Sequence, residues 1–240
     1  MNQPPKLSGN IRDYIGRDSP RGVAIQKALA KIVVSLPDTV IFGGMLRDLA
    51  LGKFEQFRSD IDLVTRASTE DLARAIRPFN PSRNRFGGYR FIVDEQQFDI
   101  WALQDTWALR HGVVDGKDFN DLLKTTFFNL DAIVFHLRTE ECLCDDSYQE
   151  MVRLGILEVN LEPNPRPHSM ALRAISMVAR SDLALGPRLA TFVLTNLNRS
   201  DLDRVGITGW DGLKAHVERG CLTPYRFAAS TRDRRPRISA

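Results

Sequence analysis

Ile41-Phe42-Gly43-Gly44-Met45-Leu46-Arg47-Asp48, followed after a short variable stretch by Ser59-Asp60-Ile61-Asp62-Leu63-Val64-Thr65, decides how this chain folds. The run Thr39-Val40-Ile41-Phe42 has the character of a buried strand, and Gly43-Gly44 closes it with a turn that only glycine makes cheaply. Such a turn lets backbone N–H groups approach a triphosphate with no Cβ in the way. Asp60 and Asp62 alternate with Ile61 and Leu63, so on a strand both carboxylates point to one face and both aliphatic chains to the core. Two neighbouring carboxylates repel each other in an apolar setting, and a divalent cation is the usual reason for such a pair.

Working outward, Ala24, Ile25, Ala28, Leu29, Ile32 and Val33 recur at helical spacing, giving an amphipathic helix that ends before Pro37. A short helix over Met45–Leu51 follows the glycine turn. Ser68 with Asp71 three residues on is a capping pair for a helix over Thr69–Arg77, stopped by Pro78. Residues 85–93 and 98–103 are two alternating strands around the polar turn Asp94–Gln97, which makes a hairpin. Within it Asp99 lies between Phe98 and Ile100 and so faces away from them, supplying a third carboxylate. From His168 onward the pattern is helical, and Pro163, Pro165 and Pro167 mark a boundary before it.

The whole chain sets the bounds. Its 240 residues suffice for one large or two modest domains, and 43% hydrophobic with 26% charged residues is the balance of an ordinary soluble protein. No apolar stretch reaches membrane-spanning length and the N-terminus lacks the apolar centre of a signal peptide, so a cytoplasmic location without a membrane partner is expected. Cys142, Cys144 and Cys221 suit reduced thiols in such a compartment, and their spacing is not that of a zinc site. A net charge of +3 does not by itself demand nucleic acid, yet the positive charge is mostly arginine, whose planar fork suits phosphates. It concentrates in Arg232-Asp233-Arg234-Arg235-Pro236-Arg237, which is either a flexible arm for an RNA backbone or a solubilising tail. Trp101, Trp107, Trp210, Tyr89 and Phe91 are core aromatics or base-stacking platforms, core being the expectation for those on strands.

Gly43-Gly44-Met45-Leu46-Arg47-Asp48-Leu49-Ala50-Leu51-Gly52 resembles the Gly-Gly-x-Val-Arg-Asp-x-Leu-Leu-Gly signature of the head domain of CCA-adding tRNA nucleotidyltransferases and bacterial poly(A) polymerases. Asp60-Ile61-Asp62-Leu63-Val64-Thr65 resembles the Asp-x-Asp-(hydrophobic)-x-Thr element that follows it, and Asp99 matches an acidic residue on the second strand of the family's hairpin. Together and in this order they point to the polymerase-beta-like nucleotidyltransferase superfamily. The resemblance implies an α+β fold, with a mixed-sheet head flanked by helices and a small all-helical neck. The expected division is an N-terminal extension over 1–20, the head over 21–138, a connecting segment over 139–167, the neck over 168–228 and a basic tail over 229–240.

It also implies transfer of a nucleoside monophosphate from an NTP such as ATP to an acceptor hydroxyl, most naturally an RNA 3′ end. Asp60, Asp62 and Asp99 would be the catalytic carboxylates and the ligands of Mg²⁺, or of Mn²⁺. Gly43 and Gly44 would cradle the phosphates. Arg47 would pair either with a phosphate or with Asp48. Lys124 keeps one positive charge of the family's Arg-Arg-Asp-Phe-Thr-Ile-Asn-Ala segment in one register; in the other, anchored at Asp131-Ala132, none of that charged triplet is kept. Leu172-Arg173-Ala174-Ile175 echoes the neck helix, with Arg173 either facing the nucleotide or covering apolar neighbours with its stem. The family's base-choosing Glu-Asp-x-x-Arg falls on Arg166, Pro167 and Met170, so ordered C, C, A addition is not expected, and the chain is expected to be truncated after the neck. Transfer to a small molecule or protein, and a catalytically silent nucleotide- or RNA-binding module, are the alternatives.

Overall fold

Alternating residues build a sheet that carries the main hydrophobic core on one face and, on the other, a smaller apolar cluster beside charged side chains. The computed structural model of the protein describes residues 5–53, 57, 59–84 and 86–227. The chain divides into two compact units that meet between Arg153 and Leu154.

In the first unit, helices α1 (Pro5–Ile15) and α2 (Pro20–Ser35) precede strand β1 (Thr39–Phe42), helix α3 (Gly44–Ala50), strand β2 (Ile61–Thr65) and helix α4 (Thr69–Ile76). Strands β3 (Ser82–Arg83), β4 (Tyr89–Val93) and β5 (Gln96–Ala102) come next, then short helices α5 (Trp107–Arg110) and α6 (Phe119–Leu123). Strands β6 (Ile133–His136) and β7 (Glu141–Cys144) and helix α7 (Asp146–Leu154) complete it. Among the described residues, seven strands form one sheet in the order β3-β4-β5-β2-β1-β6-β7. It is mixed: β2 runs parallel to β5, with Asp62 opposite Asp99, and the remaining pairs are antiparallel.

Ile41, Ile61, Leu63, Phe91, Phe98, Ile100, Ile133 and Phe135 all point to one side, where they pack with the apolar faces of α1 to α4. Phe91 is a core residue, stacked on Phe98 with ring centroids 5.1 Å apart. On the opposite side Val40, Val64 and Val134 pack against Phe119, Leu122 and Leu123 of α6. That cover does not extend to β4, where Ile92 is 62% exposed.

The local signals act as their chemistry dictates. Ser68 accepts from the Asp71 amide and starts α4. The hairpin turn is shorter than the sequence pattern predicts: Asp94 and Glu95 alone form it, both at positive φ as a two-residue turn requires, and Gln96 already pairs with Val93.

Two segments differ from their reading in the sequence. The supposed N-terminal extension contains α1, whose Leu7, Ile11 and Tyr14 are buried in the main core. Spacing at i, i+4 and i+7 makes that face continuous, and Pro5 stands at the helix start, where its missing N–H costs nothing. Residues 141–154, assigned to a connecting segment, instead supply edge strand β7 and helix α7, burying Cys142 and Tyr148 in the first core. The basic tail over 229–240 lies outside the described residues.

The second unit is chiefly helical: α8 (Pro167–Ala179), α9 (Pro187–Asn196), α10 (Arg199–Arg204) and α11 (Trp210–Glu218). It also contains a short parallel pair, β8 (Ile156–Leu157) with β9 (Ala184–Leu185). Glu158 accepts from the amides of Arg188 and Leu189, satisfying donors that the start of α9 leaves open. The cysteines at 142, 144 and 221 are free thiols.

Candidate active site

The carboxylates lie at the N-terminal end of β2 and on the strand beside it. Asp60 immediately precedes β2, Asp62 is its second residue, and Asp99 sits across the parallel ladder from Asp62. Because side chains alternate, all three leave the sheet on the face opposite the main core. One carboxylate oxygen from each lies within 4.8 Å of the others. An all-oxygen donor set of three carboxylates at this separation suits a hard divalent cation such as Mg²⁺ or Mn²⁺.

The glycine turn borders the same spot. Phe42 pairs with Asp62, so the residue after Phe42 is carried directly to that carboxylate. Gly43 caps α3 at φ 76° and ψ −133°, a conformation that a side chain resists. A Cβ there would stand 3.7 Å from Asp62 Oδ2. The sheet therefore sets a linear order: glycine turn beside β1, then Asp60 and Asp62, then Asp99, then β4.

Three residues that hold this arrangement together escape a reading of the sequence alone. Arg90 on β4 pairs with Asp99 through two parallel bonds, Nε to Oδ1 at 2.8 Å and Nη2 to Oδ2 at 2.6 Å, and its Nη2 lies 3.7 Å from Asp60 Oδ2. The hydrogen bond to Asp99 chiefly raises the Arg90 pKa. Gln97 donates to Asp60 Oδ2 at 3.1 Å. Arg21 of α2 donates to the Ser59 carbonyl at 2.9 Å and to Gln96 at 2.6 Å, tethering the segment that leads into Asp60. The signal for Arg90 was present: a two-residue turn at 94–95 places 90 opposite 99.

The structure thus brings together Gly43, Gly44, Asp60, Asp62 and Asp99. Arg47 is directed elsewhere, donating to Asp131 at 2.6 Å and to Asp48 at 3.0 Å. Burial pulls its pKa down, but Asp131 and Asp48 outweigh that and leave it raised. Lys124 pairs with Asp121 at 2.9 Å, at the end of α6. Arg173 is exposed on α8 in the second unit. Beside Asp60, a cavity of about 510 Å³ is bordered by Arg21, Ser59, Asp94, Glu95 and Gln97.

No family model matches the chain, and no curated protein matches it by sequence. Solved structures do. A Thermotoga maritima CCA-adding enzyme complexed with tRNA superposes with a TM-score of 0.58 at 19% identity, over 85% of this chain and 49% of that one. A CCA-adding enzyme complexed with CTP gives 0.57 at 17% identity, over 85% and 50%. The Bacillus stearothermophilus CCA-adding enzyme, also with CTP, gives 0.53 at 21%, over 75% and 44%. The chain spans about half the length of these proteins. Over the matched part the fold is like that of these CCA-adding enzymes, a mixed sheet flanked by helices followed by a chiefly helical region.

Proposed function

We propose that this protein is a divalent-cation-dependent nucleotidyltransferase, moving a nucleoside monophosphate from an NTP to an acceptor hydroxyl at an RNA 3′ end. The observation that carries this reading is the convergence of Asp60, Asp62 and Asp99 within 4.8 Å, beside a turn whose positive φ at Gly43 favours glycine. Asp60, Asp62 and Asp99 would hold the divalent cation. Bound there, divalent ions supply charge neutralisation at the leaving pyrophosphate and a more acidic attacking hydroxyl.

The chain's own residues account for the rest. Gly43 and Gly44 present backbone to the β- and γ-phosphates without a Cβ. Asp99, on the flank away from the glycine turn, would accept the proton of the incoming hydroxyl. Arg47 acts as scaffold, since its donors are committed to Asp48 and Asp131 and fasten α3 to the segment before β6. Lys124 and Arg173 are proposed nucleotide contacts of lesser weight, Lys124 because it must first leave Asp121. Pro167 at the start of α8 and Arg166 before it cannot present a Glu-Asp hydrogen-bond edge to a base, so the reading excludes a protein template for C, C, A addition.

One observation favours a second acceptor class. The cavity at Asp60 is lined by Asp60, Asp94 and Glu95 against Arg21, an acidic balance that suits a neutral or cationic small molecule bearing a hydroxyl better than a phosphodiester.

Incubation with each labelled NTP, Mg²⁺ or Mn²⁺, and either RNA or small hydroxyl acceptors tests these readings. Transfer to RNA that is lost in EDTA, and reduced by several orders of magnitude in Asp60→Asn or Asp62→Asn, is expected. Transfer only to small hydroxyl acceptors would move the assignment to the second class. Undiminished transfer in the double variant would sink the carboxylate mechanism altogether.

A further inference from the structure

The guanidinium of Arg90 engages both oxygens of Asp99, at 2.8 and 2.6 Å, and comes within 3.7 Å of Asp60. These are the oxygens that a cation bound by the acidic cluster would need. A doubly charged ion drawing on Asp99 must take at least one of them, and its charge repels a guanidinium at that distance. We propose that Arg90 is a counter-cation built into the site, which a divalent ion has to displace from Asp99 and Asp60 in order to bind. The inference rests on the metal-site reading given above and adds to it a residue that sets metal affinity.

Three features separate this arrangement from an ordinary structural ion pair. Arg90 comes from the neighbouring antiparallel strand β4, so it approaches the cluster from the Asp99 side. Its side chain is 44% exposed while that of Asp99 is 6% exposed, so the arginine has room to leave and the aspartate does not. Ile92, on the same face of β4, is itself 62% exposed, so this face of the strand opens to solvent beside Arg90. Arg47, by contrast, is held by carboxylates on two sides with its side chain 10% exposed, and has no such exit. Arg90 also answers the cost of the cluster itself: three carboxylates this close repel each other, and a fixed positive charge relieves that repulsion. The site can then exist folded while its metal ligands stay in place.

A charge-assisted, bidentate pair that must be broken weakens the competing ion by about tenfold, taking the lower end of what such bonds contribute. The test measures Mn²⁺ binding to the full chain by titration calorimetry, without nucleotide. Arg90→Gln removes the charge at similar size, and Arg90→Lys keeps the charge but loses the fork. Expected is binding about tenfold tighter in Arg90→Gln than in the unaltered protein, with Arg90→Lys between them. Equal or weaker binding in Arg90→Gln overturns the proposal and leaves the metal site standing. Should that variant not fold, Arg90→Lys decides alone, since unchanged affinity there also overturns it. Absence of any Mn²⁺ binding that Asp62→Asn removes would sink the metal-site reading itself, and this inference with it.

Discussion

Replacing Arg47 by methionine would leave Asp131 facing an apolar side chain. In the folded protein the guanidinium bridges Asp131 at 2.6 Å and Asp48 at 3.0 Å, and the side chains of Arg47 and Asp131 are only 10% and 13% exposed. Breaking a buried pair by removing one member costs about 3–5 kcal/mol, because the remaining charge stays desolvated. A surface pair would cost under ~1 kcal/mol. The low exposure of both partners favours the larger figure. With a urea m-value of about 2 kcal/mol/M, the unfolding midpoint of the first unit should fall by roughly 1.5–2.5 M. Arg47→Met combined with Asp131→Leu should recover most of that loss, giving a coupling of about 2 kcal/mol or more. NTP affinity measured in the double variant should match that of the unaltered protein if Arg47 is scaffold. A single-variant loss below about 1 kcal/mol, or additive single effects, would refute the buried-bridge reasoning. A large drop in NTP affinity with stability restored would return Arg47 to the phosphates.

Two further substitutions probe the fold around the site. Ile11→Ala should cost about 2–5 kcal/mol by thermal or urea unfolding, because Ile11 is fully buried in the main core; a loss under about 1 kcal/mol would mean α1 is not part of that core. Gly88→Ala should lower stability by about 1–3 kcal/mol, since its Cβ would meet the Trp101 indole nitrogen at 2.3 Å; an unchanged melting temperature would show that this loop yields freely.

Much of the head was legible because its signals are local. Alternation over 60–65 set which side of a strand the aspartates occupy, glycine at 43 marked a turn that other residues resist, and Ser68 announced α4. The hairpin was legible too, though its turn is two residues shorter than the polar run suggested. Missed were α1 and β7. Prolines and glycines around α1 disguised an apolar face that only the core completes, and β7 is a four-residue edge strand, too short to show an alternation, that only its pairing with β6 defines.

By itself, the sequence determined the chemical kind of the site: two carboxylates on one face of a strand, a third on another strand, and a glycine turn. Tertiary structure alone decided that these belong together, since the parallel pairing of β2 with β5 that sets Asp62 beside Asp99 joins segments with no local signal for each other. It also decided the partners of the arginines. Arg47 goes to Asp131 and Arg90 to Asp99, because strand order and register, not spacing along the chain, determine which charges come within bonding distance.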